Sequence, residues 1–193
     1  MDLNRRDPGL ESSRPTLIVV SGPPGSGKTT LAHEIARAVG CPAVCRDEIK
    51  EGMVHAAPGF VPGPRDELTM RTLPAFFAVV ELLLMAGATT VAEAAFQDRV
   101  WRPHLTPLQP LAQVRIVHCA AAADVAFQRI LGRGSANGVR AAHADPGPAE
   151  EADFLRLHRT FDRVRLDSAP WIEVDTTTGY QPGIDDIVAF VNG

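Results

Sequence analysis

The eight residues from Gly22 to Thr29 read G-P-P-G-S-G-K-T, and this stretch constrains the chain more than any other. It fits the pattern G-x-x-x-x-G-K-[ST], a loop whose backbone N–H groups surround anionic oxygens. Lys28 is a compact cation that reaches phosphate oxygens, and the hydroxyl of Thr29 is a hard ligand suited to Mg²⁺. The pattern predicts a phosphate-binding loop that holds its ligand through Gly22, Pro23, Pro24, Gly25, Ser26, Gly27, Lys28, Thr29 and Thr30.

The segments on either side of this loop agree with the motif. An apolar, β-branched run at 16–20 precedes it, as in a buried parallel strand. After the loop, Leu31, Ile35 and Ala38 recur at helical spacing. A strand, a glycine-rich loop and a helix are the order that the motif requires, and the positive end of that helix adds to the attraction for anions.

Strand and helix patterns alternate along the rest of the chain, which predicts an α/β fold. We expect a P-loop NTPase three-layer sandwich, in which helices cover both faces of a five-stranded parallel sheet. The expected strands are 16–21, 42–46, 88–93, 113–119 and 171–175. The expected helices are 27–39, one starting near residue 46, 65–87, 99–110, 122–132, 149–166 and 184–191, with a lid loop at 133–148.

Size and composition limit the remaining possibilities. The 193 residues suit one domain at 15–193, preceded by a loose polar tail at 1–14. A net charge of −4 argues against a general nucleic-acid binder, although it leaves room for a local basic groove. Three cysteines without a metal-like repeat favour free thiols in a reducing, cytoplasmic setting. No uninterrupted apolar stretch reaches 18 residues, so we expect no membrane span.

Acidic residues close to predicted strand ends are candidates for chemistry. Asp47 follows the second strand, where a carboxylate would accept the proton of an acceptor hydroxyl, or would cap the next helix. Glu48 fits a first-turn acid that complements the helix dipole. Glu93, at the end of an apolar strand, needs a partner, which is Mg²⁺ through water, a substrate or an arginine. Lys50 either faces the same cleft or pairs with Asp47.

Two arginines precede the predicted lid loop. Arg129 and Arg133 are four residues apart and share one helix face. Such arginines neutralise phosphate charge when a lid closes, or they form a solvated face. His143 and Asp145 lie in the same loop, and the sequence assigns them no role.

These pieces together resemble the small P-loop kinases, a group of AAA-type ATP-binding kinases. The group includes phage-type polynucleotide kinase, zeta toxins and chloramphenicol phosphotransferase. The resemblance rests on the loop G-P-P-G-S-G-K-T-T-L-A, the string R-D-E at 46–48, V-A-E at 91–93, and the arginines before the lid. It implies that Asp47 is the general base and that Arg129 or Arg133 contacts phosphate. Glu93 and Lys50 stand where polynucleotide kinase has Asp and Arg, which weakens the case for a nucleic-acid acceptor.

The sequence therefore predicts an ATP- and Mg²⁺-dependent phosphotransferase that acts on a hydroxyl of a small molecule. Lys28, Asp47, Arg129 and Arg133 are its expected catalytic residues, and Thr29 and, through water, Glu93 its expected metal ligands. A polynucleotide 5′-hydroxyl kinase, a nucleoside or nucleotide kinase, and a nucleotide-dependent ATPase switch remain alternatives. Residues 53–85 are expected to shape the acceptor pocket. Neither the acceptor nor the oligomeric state follows from the sequence.

Overall fold

The fold is built on one parallel sheet. The computed structural model describes residues 14–63, 66–134, 143 and 146–193. Within these residues, the strand order is β2-β3-β1-β4-β5, and every neighbouring pair is parallel. The strands are β1 (Thr16–Ser21), β2 (Ala43–Cys45), β3 (Thr90–Ala94), β4 (Gln113–Ala120) and β5 (Trp171–Asp175). The predicted five-stranded parallel sheet is confirmed, and the central strand β1 delivers the phosphate-binding loop.

Helices connect the strands and cover both faces of the sheet. They are α1 (Lys28–Val39), α2 (Arg46–His55), α3 (Glu67–Met85), α4 (Asp98–Leu105), α5 (Ala123–Gly134), α6 (Glu151–Arg159) and α7 (Ile184–Asn192). Short 3₁₀ turns follow α4 at Thr106–Leu108 and precede α6 at Pro148–Glu150. The tail at 1–13 and most of the predicted lid loop lie outside the described residues, so the expected domain bounds stay a prediction.

Alternating strand residues divide the core into two layers. On one face of the sheet, Leu17 and Val19 of β1 pack with the aromatic residues Phe76 of α3 and Trp101 of α4. On the other face, Ile18 and Val20 pack with α1 and α7. This alternation follows from the two-residue period of a strand, and burial on both faces explains why the strands are continuously apolar. The predicted three-layer sandwich is therefore confirmed.

Helix α3 is the longest helix among the described residues. By length and composition alone it is long and apolar enough to cross a membrane, although the sequence analysis expected no such segment. Its buried residues Phe76, Val80 and Leu84 face the sheet, so it also fits a core helix of this fold. The helix ends as predicted near Gly87, whose φ of +81° is the left-handed conformation of a helix C′ residue.

The predicted helix at 149–166 is too long. Helix α6 ends at Arg159, and the hydroxyl of Thr160 donates to the carbonyl of Arg156. The chain then runs without helix to β5, because Val164 and Leu166 are buried in the core beside α3 and α4. The side chain of Asp98 fixes this path by accepting the backbone N–H of Arg165 at 2.9 Å. Tertiary packing thus overrides a local helical pattern.

Candidate active site

The phosphate-binding loop is pressed against its neighbours so closely that two of its glycines cannot be replaced without a shift. A Cβ atom on Gly22 would lie 2.5 Å from the carbonyl oxygen of Cys119, at the end of β4. A Cβ atom on Gly25 would lie 2.4 Å from the carbonyl oxygen of Ala126 in α5, and Gly25 also has a φ of +79°. Both positions require glycine for close backbone approach, which the motif predicted only in general terms.

Two side chains from distant parts of the chain anchor this loop. The guanidinium of Arg129 donates to the carbonyl oxygens of Thr176 at 2.6 Å, Thr177 at 3.0 Å and Gly25 at 3.5 Å. The buried hydroxyl of Thr176 donates to the carbonyl oxygen of Ser26 at 2.6 Å. Arg129 therefore braces the loop, and its contact with phosphate stays a prediction. The sequence analysis missed Thr176, for which the only signal was its place directly after the last predicted strand.

Lys28, Thr29 and Glu93 lie together at the carboxyl end of the sheet. Glu93 is buried on β3, where its carboxylate accepts the Thr29 hydroxyl at 3.1 Å and lies 3.8 Å from the Lys28 ammonium. The alternative partner for Glu93, an arginine, is not the one found. Burial raises the pKa of Glu93, and the nearby charge of Lys28 offsets only part of this rise.

This arrangement fits a magnesium ion. The Thr29 hydroxyl and the Glu93 carboxylate are hard oxygen donors side by side, and Mg²⁺ binds through a few such protein oxygens together with water and phosphate. A buried carboxylate whose pKa is raised is also a costly group that a cation would stabilise. Thr29 and Glu93 are therefore the residues that would hold the metal.

Asp47 is the second residue of α2, which begins directly after β2. The residue that precedes the helix is Cys45, so the reading of Asp47 as the helix cap is wrong. Its carboxylate pairs with Arg46 at 2.8 Å and remains partly exposed. Burial alone would raise the pKa of Asp47, but the charge of Lys28 and the Arg46 contact hold it below its ordinary value. Asp47 is thus an ionised carboxylate within the electrostatic reach of the loop lysine.

Lys50 pairs with a residue that the sequence did not suggest. Its buried ammonium lies 2.8 Å from the carboxylate of Asp66 and 5.8 Å from the ring centre of Phe60. The pairing of Lys50 with Asp47, one of the two alternatives that the sequence left open, is therefore not found. Asp66 caps α3 by accepting the backbone N–H of Thr69 at 2.7 Å, and these contacts hold the pKa of Asp66 well below its usual range although burial opposes them. The pair ties α2 to the start of α3.

The predicted lid is described only in part. The side chain of Arg133 and residue Asp145 lie outside the described residues, so the role of Arg133 stays a prediction. His143 is described, and its Nε2 atom lies 3.1 Å from the carboxylate of Glu51 on α2. This contact brings one point of the lid segment to the helix that carries Asp47.

A cavity of about 360 Å³ adjoins the loop at Pro23. Its lining comes from the end of β4, from α5 and from α6, and includes Asp124, His158 and Arg159. Burial, and to a smaller extent the charge of Lys28, lowers the pKa of His158. The cavity is distinct from residues 53–85, where the sequence analysis expected the acceptor pocket.

Comparison with known proteins assigns the family. The AAA domain family (AAA_33) matches residues 17–164, and the chain belongs to it. Curated relatives include an uncharacterized protein of Mycobacterium tuberculosis and another of Mycobacterium bovis, each 26% identical over 160 residues and matched over 78% of this chain. The chain spans about a third of the length of these relatives, with 32% of each covered.

Solved structures of kinases share the fold. A kinase candidate from Chloroflexus aurantiacus is 25% identical, with a TM-score of 0.80 over 93% of this chain and 98% of that one. A gluconokinase from Sinorhizobium meliloti is 16% identical, with a TM-score of 0.59 over 93% and 92% of the two chains. A shikimate kinase from Acinetobacter baumannii is also 16% identical, with a TM-score of 0.54 over 92% and 90%. The architecture is that of the small P-loop kinases, as the resemblance implied.

Proposed function

We propose that this chain transfers the γ-phosphoryl group of Mg·ATP to a hydroxyl of a small-molecule acceptor. The observation that carries the proposal is that three groups lie at one edge of the sheet. They are a lysine suited to phosphate, a pair of oxygen ligands suited to a metal, and an ionised carboxylate. Lys28 reaches Glu93 at 3.8 Å, Thr29 donates to Glu93 at 3.1 Å, and the charge of Lys28 lowers the pKa of Asp47. Phosphoryl transfer needs this combination of charge stabilisation and proton acceptance.

Each residue has a defined part in the proposed reaction. The loop N–H groups and Lys28 would hold the phosphate oxygens, and Thr29 and, through water, Glu93 would hold Mg²⁺. When bound, the metal neutralises charge on the phosphate oxygens. The acceptor oxygen forms a bond to the γ-phosphorus as the bond to the bridging oxygen of ADP breaks, and the hydroxyl proton passes to Asp47. The lowered pKa of Asp47 keeps its carboxylate ionised, which is the form that a proton acceptor needs, and makes it a weaker base than an ordinary carboxylate.

Charge near the loop supports a small molecule rather than a nucleic acid as the acceptor. Lys50 is buried against Asp66, so its charge is not directed toward a nucleic-acid phosphate. The net charge of −4 agrees with this preference. A cytoplasmic location, where ATP is abundant and thiols stay reduced, fits the three free cysteines.

The test combines an acceptor screen with one substitution. ATP consumption is measured with panels of sugars, antibiotics, nucleosides and oligonucleotides, and the best acceptor is then used to compare variants. Asp47→Asn keeps the shape of the side chain but removes the base, so we expect a loss of about 10²–10⁴ in turnover. The affinity for Mg·ATP, measured by calorimetry, should stay nearly unchanged.

Glu67→Gln is the matched control, because Glu67 is an exposed first-turn acid of α3 and tests any effect of the helix dipole. Its turnover should equal that of the wild type. Full activity in Asp47→Asn would reject Asp47 as the base. Hydrolysis of ATP that no acceptor accelerates would favour the ATPase switch, and an oligonucleotide as best acceptor would favour the polynucleotide kinase.

A further inference from the structure

Three metal-binding side chains meet outside the set that serves phosphoryl transfer. His33 lies on α1, Cys45 ends β2, and Glu48 lies in the first turn of α2. One ligand atom of each lies within 4.8 Å of the other two. The His33 Nε2 atom is 2.7 Å from the Glu48 carboxylate and 3.7 Å from the Cys45 sulfur.

The fold brings these residues together from separate elements. His33 is one helical turn after Thr29, so both side chains project from the same face of α1. Cys45 is the register partner of Glu93 in the pairing of β2 with β3. Glu48 follows Cys45 by three residues, across the junction at which strand becomes helix. The cluster therefore adjoins the Thr29 and Glu93 pair without sharing a ligand with it.

We propose that His33, Cys45 and Glu48 form a binding site for a thiophilic divalent cation of the zinc class. Imidazole, thiolate and carboxylate are the ligands that Zn²⁺ takes in proteins, and three protein ligands leave a fourth position for water. Tetrahedral bonds of about 2.0–2.3 Å keep ligand atoms about 3.3–3.6 Å apart. The observed separation of 3.7 Å between nitrogen and sulfur is close to this spacing, whereas the 2.7 Å between His33 Nε2 and the Glu48 carboxylate is a hydrogen-bond distance that lengthens when a metal enters.

Ligand chemistry separates this site from the magnesium site. Thr29 and Glu93 offer hard oxygens only, whereas the new cluster contains a soft sulfur and an imidazole nitrogen. Mg²⁺ disfavours such ligands, and zinc-class metals select them. The sulfur is buried, while His33 and Glu48 are about half exposed, so a cation reaches the cluster from the side of these two residues.

An ordinary surface contact between His33 and Glu48 is the competing explanation. The buried Cys45 thiol distinguishes the metal site from the surface contact, because a hydrogen bond between histidine and glutamate does not involve a sulfur atom. As a metal–sulfur bond forms, the Cys45 thiol releases its proton to the solvent. Metal binding at this cluster therefore predicts one thiolate ligand and about one released proton for each bound ion. The inference does not depend on the proposed phosphotransfer.

The test is a titration of the chelator-treated full chain with Co²⁺, a spectroscopic substitute for Zn²⁺, in a large excess of Mg²⁺. We expect one ion to bind with a thiolate-to-cobalt absorption band and with proton release, and Zn²⁺ to displace it. Cys45→Ser should abolish the band. His33→Ala should weaken Zn²⁺ binding by at least about tenfold, since losing an outer-shell partner alone costs about 10–100-fold.

Cys41→Ser and His55→Ala are the controls, because these residues lie outside the cluster and should leave binding unchanged. If Cys45→Ser fails to fold, as judged by circular dichroism, the Zn²⁺ affinity of His33→Ala tests the site instead, because the side chain of His33 is half exposed. The proposal is overturned if the wild type gives no thiolate band in excess Mg²⁺, or if His33→Ala binds Zn²⁺ as tightly as the wild type. It is also overturned if a folded Cys45→Ser variant keeps the band.

Discussion

The two sides of the candidate active site are held in place by different forces. On the nucleotide side, the phosphate loop is fixed by contacts to backbone carbonyls, through Arg129, Thr176 and the close approach of Gly22 and Gly25. The other side, which we call the acceptor side, consists of α2 with the proposed base Asp47 and of α3. There the charges of Lys50 and Asp66 tie α2 to α3. The geometry of the phosphate loop therefore depends mainly on backbone groups, whereas that of the acceptor side depends on one pair of side-chain charges.

The buried ion pair on the acceptor side should give the largest effect on stability. Lys50→Met leaves the Asp66 carboxylate without its cation, so we expect the free energy of unfolding to fall by about 3–5 kcal/mol. Urea denaturation measures this change. Arg71→Met removes the exposed pair with Glu67 and serves as control, with an expected cost of at most about 0.5 kcal/mol. Equal small losses in both variants would mean that side-chain charges do not hold the acceptor side.

The pKa of His118, on the strand next to β1, reports how far water is excluded from that part of the sheet. His118 is buried on β4 in register with Ser21, and burial, with the charge of Arg163, lowers its pKa to about 4. Below pH 6.5 the histidine is protonated in the unfolded chain but not in the folded chain. The free energy of unfolding therefore falls as the pH drops toward 4. The total loss is about 3 kcal/mol.

Unfolding curves at pH 7 and pH 4.5 test this linkage. The His118→Gln variant lacks the titrating group. The fall in its free energy of unfolding over this range should therefore be smaller than the fall in the wild type, with a difference of about 2–3 kcal/mol. Parallel losses in the wild type and the variant would show that His118 titrates normally and that this part of the sheet is hydrated.

The arginine brace should give the smallest of the three effects. Arg129→Ala removes charged donors from the carbonyl oxygens of Thr176 and Thr177, so we expect a loss of about 1.5–3 kcal/mol in unfolding free energy. Mg·ATP affinity should fall with it, because the loop loses a support. A variant that keeps full stability but loses turnover would instead assign Arg129 to the phosphate, as the resemblance implied.

The same contrast explains what the sequence could predict. The phosphate loop could be predicted because its glycines, Lys28 and Thr29 form one short segment that lies between a strand and a helix. The strands were readable because burial on both faces leaves continuous apolar runs. Lys50 and Asp66 were not readable as a pair, because they are 16 residues apart in different helices and only tertiary packing joins them. Thr176 was missed for the same reason, since its partner Ser26 is 150 residues away.

The central claim is that the loop binds the phosphates of Mg·ATP through Lys28, and calorimetric titration of Mg·ATP tests it most directly. Lys28→Ala should weaken binding by about tenfold or more, because it removes a charge-assisted contact. Arg37→Ala, an exposed cation in the last turn of the same helix, should bind like the wild type. Equal affinity for Mg·ATP in the wild type and in Lys28→Ala would contradict the assignment of the nucleotide site.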